Sequence, residues 1–146
     1  MASTIDDIAD ALVSALQTEL TGATVLRNEA YPERVPSGGL VIVNDGDPGT
    51  PERLLGGFSE AFYTRTMEIH VLAQGVTSSD RDSTFSTLLA GIGDVIEADL
   101  TVGGRGGITN YSAPTSEVFA PDAGGAAVKA GTIFLTMEYE TTSPLG

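Results

Sequence analysis

The chain has no cysteine, no tryptophan and a single histidine in 146 residues, and only 7 Lys and Arg against 20 Asp and Glu. Without cysteine there is no disulfide framework, no thiolate metal site and no thiol nucleophile. With one histidine, His70, a Ser–His–Asp arrangement has a single candidate base, and no Gly-x-Ser-x-Gly elbow accompanies it. No stretch approaches the roughly 18 uninterrupted apolar residues of a membrane span, so no membrane association is expected. Asp6, Asp7 and Asp10 open the chain with no early Lys or Arg, so a secretory signal is not expected either. A formal charge of −13 should be repelled by nucleic-acid phosphates. That leaves a soluble acidic protein of cytoplasm or virion, or one that surrounds DNA without holding it.

What is present reads as one α+β domain over residues 1–146, with a flexible tail at 142–146. Ile5, Ile8, Ala9, Leu12, Leu16 and Leu20 recur at helical spacing and predict a helix over residues 4–20. Ser3 or Thr4 can cap it, and Asp6 and Asp7 suit the positive end of its dipole. A short strand is expected at 23–26. Residues 40–43 are continuously apolar, as in a strand covered on both faces. A long polar connection, 44–57, follows. The period then becomes two over 60–74, with Met67, Ile69 and Val71 on one face and Thr66, Glu68 and His70 on the other.

Residues 75–79 read as a turn and 80–98 as a second helix, capped by Ser78 or Ser79. Phe85, Leu88, Leu89, Ile92, Val95 and Ile96 form its stripe, and Gly91 and Gly93 would allow close packing on the sheet. The Gly-rich 101–110 reads as irregular, 113–119 as a strand and 121–125 as a turn. The last long strand, 128–141, sets Ile133, Leu135, Met137 and Tyr139 against Thr132, Phe134, Thr136, Glu138 and Glu140. The simplest packing is a single mixed, mostly antiparallel sheet with both helices on one face. The other face, with Glu68, His70, Thr136 and Glu138, is left for solvent, a partner subunit or a lumen.

Motifs that suggest chemistry do not hold up. Asp45 and Asp47 resemble the start of a Ca²⁺ loop, but Pro48 and Gly49 break the ligand spacing, and turn chemistry is the better account. Gly103-Gly104-Arg105-Gly106-Gly107 lacks the Lys-Ser or Lys-Thr of a phosphate loop and reads as a connector. Glu138 and Glu140 share a strand face, but a glycosidase pair would want an aromatic-rich cleft. His70 reads as a polar-face residue, hydrogen-bonded across the sheet or at an interface. No metal or other cofactor is expected, and no enzymatic activity. Arg34, Arg53, Arg65, Arg81, Arg105 and Lys129 are scattered, and in an acidic oligomer such arginines suit a neighbour's carboxylates.

Several segments together carry a resemblance. They are Val35-Pro36-Ser37-Gly38-Gly39-Leu40-Val41-Ile42-Val43-Asn44-Asp45-Gly46-Asp47-Pro48-Gly49, Met67-Glu68-Ile69-His70-Val71, Ile92-Gly93-Asp94, Ala98-Asp99-Leu100-Thr101-Val102-Gly103-Gly104 and Tyr139-Glu140-Thr141-Thr142-Ser143-Pro144-Leu145. In this order they resemble head–tail joining proteins of siphovirus-like phages and prophages of alphaproteobacteria. The architecture resembles tail terminator, or tail completion, proteins, which have a mixed sheet flanked by helices and form hexameric rings.

The resemblance implies a virion protein, assembled in the host cytoplasm, that caps the tail tube as a homohexamer. It implies three contacts: other copies of itself, the tail tube protein, and a stopper or neck protein. Genomic DNA would pass through the lumen unbound. The residues expected at subunit or ring contacts are Asp45, Asp47, Arg53, Arg65, His70, Glu138, Glu140, Pro144 and Leu145. Another neck component is the nearest alternative; a small acidic enzyme or a binding module that mimics DNA are the others. Because loop 44–57 is expected to reach a neighbouring ring or subunit, deleting residues 50–55 should give tails of abnormal length or tails that fail to join heads. Tail lengths and head attachment in micrographs check this, and normal values for both would remove the loop from the contact.

Overall fold

A computed structural model of the chain describes residues 4–30, 35–48, 61–119 and 126–141. The elements run α1 (Thr4–Glu19), β1 (Thr24–Arg27), β2 (Leu40–Asn44), β3 (Ala61–Gln74), α2 (Ser78–Ala98), β4 (Gly107–Tyr111), β5 (Ser116–Phe119) and β6 (Val128–Thr141). One six-stranded sheet has the order β1-β2-β3-β6-β4, with β5 also paired to β6. Only β1 and β2 run parallel; the other pairs are antiparallel. This is the expected α+β fold with a single mixed sheet. Its spine is the β3–β6 pair, in unbroken register from Ala61↔Thr141 to Gln74↔Val128.

The odd-numbered residues of β3 and β6 face the helices. Met67, Ile69, Val71, Ile133, Leu135 and Met137 join Val41 and Val43 of β2 in one core with Ile8, Leu12 and Leu16 of α1 and Phe85, Leu88, Ile92 and Ile96 of α2. Both helices therefore lie on one face, where burial of this apolar area supplies the main driving force for folding. The stripe of α1 is the expected one, with Ile5 at its edge.

The opposite face is not uniformly polar, contrary to the expectation. At one end Leu40, Ile42, Leu72 and Val128 form a second buried cluster, with Leu26, Val35 and Ala130 packed on it. The cause is the parallel β1–β2 pair. A parallel pair needs a crossover connection, and α1 already covers one face beside β1. Val35, in the connection, packs on the other face and closes the small cluster there. The uninterrupted apolar run of β2 follows directly, since Val41 and Val43 serve one core and Leu40 and Ile42 the other.

Three local expectations are corrected. The cap of α2 is Thr77, whose Oγ1 accepts from Asp80 N at 3.1 Å, so Ser78 and Ser79 already lie inside the helix. Gly91 gives close approach to α1 rather than to the sheet, because a Cβ there would sit 2.4 Å from Leu20 Cδ2; at Gly93 a Cβ would meet open space. Residues 101–110 are not irregular throughout, since β4 begins at Gly107 and pairs with β6 through a bulge between Ile108 and Asn110. The expected turn at 121–125 lies outside the described residues.

The turn before β4 is ordered by one carboxylate. Asp99 accepts from Thr101 N, Thr101 Oγ1 and Gly103 N at 3.0, 2.6 and 2.7 Å. These bonds, the Thr101 hydroxyl's first, hold the Asp99 carboxyl below its ordinary range. The same turn forces Val102 to φ +50°, a left-handed conformation that is unfavourable for a β-branched residue. Val102 is buried in the core, and that burial offsets the strain.

Glycine positions give opposite predictions. Gly38 has φ +85°, and a Cβ would lie 1.8 Å from Gly22 O. Gly38→Ala should therefore cost at least about 1–2 kcal/mol. Gly93→Ala, in open space within α2, should stabilise by up to about 1 kcal/mol. Urea unfolding of both variants checks the sign of each.

Candidate functional site

Two regions hold the residues expected at contacts: a polar knot at the helix side of one sheet end, and the face turned away from the helices.

The knot is built around Arg27, the last residue of β1. Its Nε and Nη2 donate to the two oxygens of Asp45 at 3.0 and 2.7 Å, a forked pair. Nη2 also reaches Asp6 at 2.7 Å and Nη1 reaches Asp10 at 3.3 Å. Asp6 and Asp10 are four apart on α1 and so share a helix face. The guanidinium is mostly covered, 21% exposed. The Asp45 bond, offset in part by burial and reinforced by Asp6, raises its pKa above the normal arginine value.

Asp45 is also held by its backbone: its N–H donates to Asn28 Oδ1 at 3.0 Å, and Asn28 adopts φ +53° to allow this. On the other side, Arg65 Nη1 donates to the carbonyls of Asp45 and Gly46 at 3.1 and 2.8 Å. Arg65 Nε donates to Tyr139 Oη at 3.1 Å, and Tyr139 stacks on Tyr63 with ring centroids 5.4 Å apart. Gly46, at φ +71°, lies against β3, where a Cβ would sit 2.0 Å from Thr66 O.

Of the residues expected at contacts, the structure joins Asp45 and Arg65 to each other inside the chain. Arg65 is buried, 7% exposed. Asp45 braces Arg27, eighteen residues away, rather than only its own turn. Asp47 is exposed beside the knot. Arg53, Pro144 and Leu145 lie outside the described residues. Arg27 was absent from the cations the sequence singled out. The available signal was Asp6 and Asp10 at i, i+4, carboxylates on one face of a helix that precedes a strand ending in Arg.

The second region is the sheet face turned away from the helices. There His70 meets Thr132 across the strands, Nδ1 to Oγ1 at 3.0 Å, and its Nε2 lies 3.4 Å from Glu68. This is the cross-sheet hydrogen bond expected of His70. Glu68 stands opposite Phe134, and Thr64 and Phe62 stand opposite Glu138 and Glu140. Both glutamates are exposed, as is Phe134 at 49%. Beside Phe134, residues 112–119 wall a shallow cleft of about 430 Å³ over β6.

The charges are unevenly placed. Arg27 and Lys129 bind carboxylates, Lys129 through Asp82 at 3.0 Å. Arg65, Arg81 and Arg105 donate to backbone carbonyls. Every described Lys and Arg thus has a partner within the chain. Among the described residues no group of three or more His, Asp or Glu is placed to hold a metal ion. No described helix is long and apolar enough to cross a membrane. Neither a protein-family model nor a curated protein matches the sequence.

The knot predicts a measurable coupling. In a double-mutant cycle of Arg27→Gln and Asp45→Asn, the interaction energy should be about 1 kcal/mol at low salt, since the pair is forked but partly solvated. It should shrink in 1 M salt. Denaturant unfolding of the four proteins measures it, and strict additivity would show that the fork contributes nothing.

Proposed function

We propose that the chain is a phage structural protein, a tail terminator that caps the tail tube as a ring of copies and joins the tail to the head or neck. The observation that carries this reading is the one-sided architecture. Both helices pack on a single face of the sheet. Among the described residues no further strand pairs with the outer edges of β1, β4 and β5. Open edges are the surfaces through which a sheet meets neighbouring subunits. The mixed sheet flanked by helices also agrees with the architecture implied by the resemblance of segments 35–49, 67–71, 92–104 and 139–145.

In this reading the β3–β6 spine keeps each subunit rigid, while the edges and connections make the ring. The partners are other copies of the chain, the tail tube protein and a stopper or neck protein. The net charge of −13 suits a lumen through which genomic DNA moves without sticking. The Arg27–Asp45–Arg65 knot acts as a pedestal that fixes residues 45 and 46, where the chain leaves β2.

Cryo-electron microscopy of intact particles tests this. The chain should appear as one six-fold ring directly above the last tail-tube ring. A ring higher in the neck would make it a stopper instead, and absence from the particle would discard the structural role.

A further inference from the structure

Among the described residues, Phe119 and Phe134 are the two exposed phenylalanines, and both border one cleft. Its floor is β6, at Ala130 and Thr132, and its walls carry Phe119, Phe134 and Glu117. The two rings are 43% and 49% exposed, on a face where neighbouring positions are buried or polar. Register explains why they share a face. Phe119 pairs with Val128 and Glu117 with Ala130, so both side chains emerge on the face that Phe134 shares. Glu117 is the carboxylate that lines the cleft; Glu68, opposite Phe134 on β3, lies against His70 Nε2 at 3.4 Å. The described acidic groups of this face are Glu68, Glu117, Glu138 and Glu140, and its described residues include no Lys or Arg.

We propose that this cleft docks a cationic side chain, arginine before lysine, from a segment of a different protein. A planar guanidinium stacks on an aromatic face while its donors fork onto a carboxylate; a lysine ammonium can lie over a ring and touch a carboxylate, as Lys129 does with Phe85 and Asp82, but it offers no fork. Aromatic anchors within a polar rim are also the usual anatomy of a protein contact. Charge complementarity decides the occupant. A second copy brings the same carboxylate-lined face and a charge of −13, and its described cations are all engaged internally. Nucleic acid is repelled by the same carboxylates. The inference stands apart from the ring reading, since it concerns one face of one subunit.

The test uses the full chain, isotopically labelled, in 150 mM salt, titrated with a hexa-arginine peptide and then a hexa-lysine peptide while amide shifts are followed by NMR. The expected shifts cluster at Glu117, Phe119, Ala130, Thr132 and Phe134, and hexa-arginine binds more tightly than hexa-lysine. Glu117→Gln and Phe134→Ala should each weaken hexa-arginine binding by roughly 3- to 10-fold. Asp94→Asn, on exposed α2 surface, should leave it unchanged. Both cleft substitutions are at exposed positions, and unshifted amides in the helices would confirm an intact fold.

Shifts spread over the acidic surface of α1, with no effect of either cleft substitution, would overturn the proposal. So would concentration-dependent shifts at the cleft in the absence of peptide that vanish in Phe134→Ala, which would assign the cleft to a second copy.

Discussion

The forked bond between Arg27 and Asp45 is the constraint on which the rest of the arrangement turns. It closes the open end of the parallel β1–β2 pair, the least supported part of the sheet. Parallel pairing is slightly weaker per residue than antiparallel pairing, and β1 offers only four residues. Arg27 makes up the deficit by reaching α1 through Asp6 and Asp10 and β2 through Asp45. Arg65 then holds the carbonyls of Asp45 and Gly46 from β3. One turn thus records the relative position of α1, β1, β2 and β3. Losing Arg65 would leave the buried Tyr139 and the part-buried carbonyls of Asp45 and Gly46 without that donor, whereas Asp6 and Asp10 can turn to solvent if Arg27 is lost.

Much of this was legible in the sequence where one physical signal dominated. The alternation in β3 and β6 gave faces and bounds within a residue, because over most of its length each long strand covers one core on one side, Leu72 and Val128 at one end excepted. The continuous run of β2 was read as doubly covered, and it is. The misses share a cause as well. Thr77 rather than Ser78 or Ser79 caps α2, because a run of hydroxyl residues offers several equivalent acceptors and backbone geometry selects among them. Strand β4 was hidden by glycines, whose strand-forming tendency is low until a neighbouring edge is available to pair with. Arg27 was passed over because its partners lie 17 to 21 residues upstream and 18 downstream, beyond any local pattern. The second cluster around Leu40 and Leu72 required knowing that β1 and β2 are parallel, and pairing direction is not written in hydrophobic period.

The acidity of the chain looks different once the cations are placed. A sequence with 20 carboxylates and 7 Lys or Arg could in principle scatter its few positive groups over the surface. Instead each described one has a partner within the chain, a carboxylate or a backbone carbonyl. The unpaired carboxylates therefore dominate the outward field. Such a surface resists phosphate and favours basic protein partners, whichever particle or complex the chain enters.

Strand β6 carries both halves of this economy. Its odd positions, Ile133, Leu135 and Met137, belong to the main core, and its even positions, Thr132, Phe134, Glu138 and Glu140, belong to the open face. Its edge is divided as well, pairing β5 near residues 128–131 and β4 near 135–138. The gap between those two partners lets residues 112–115 leave the sheet and wall the cleft. Because side chains alternate strictly along a strand, the surface residues of β6 can change without opening the core. The same alternation fixes Phe134 in its outward position, since a one-residue slip would bury Glu138 and expose Met137. Recognition on this face is therefore anchored by the packing on the other.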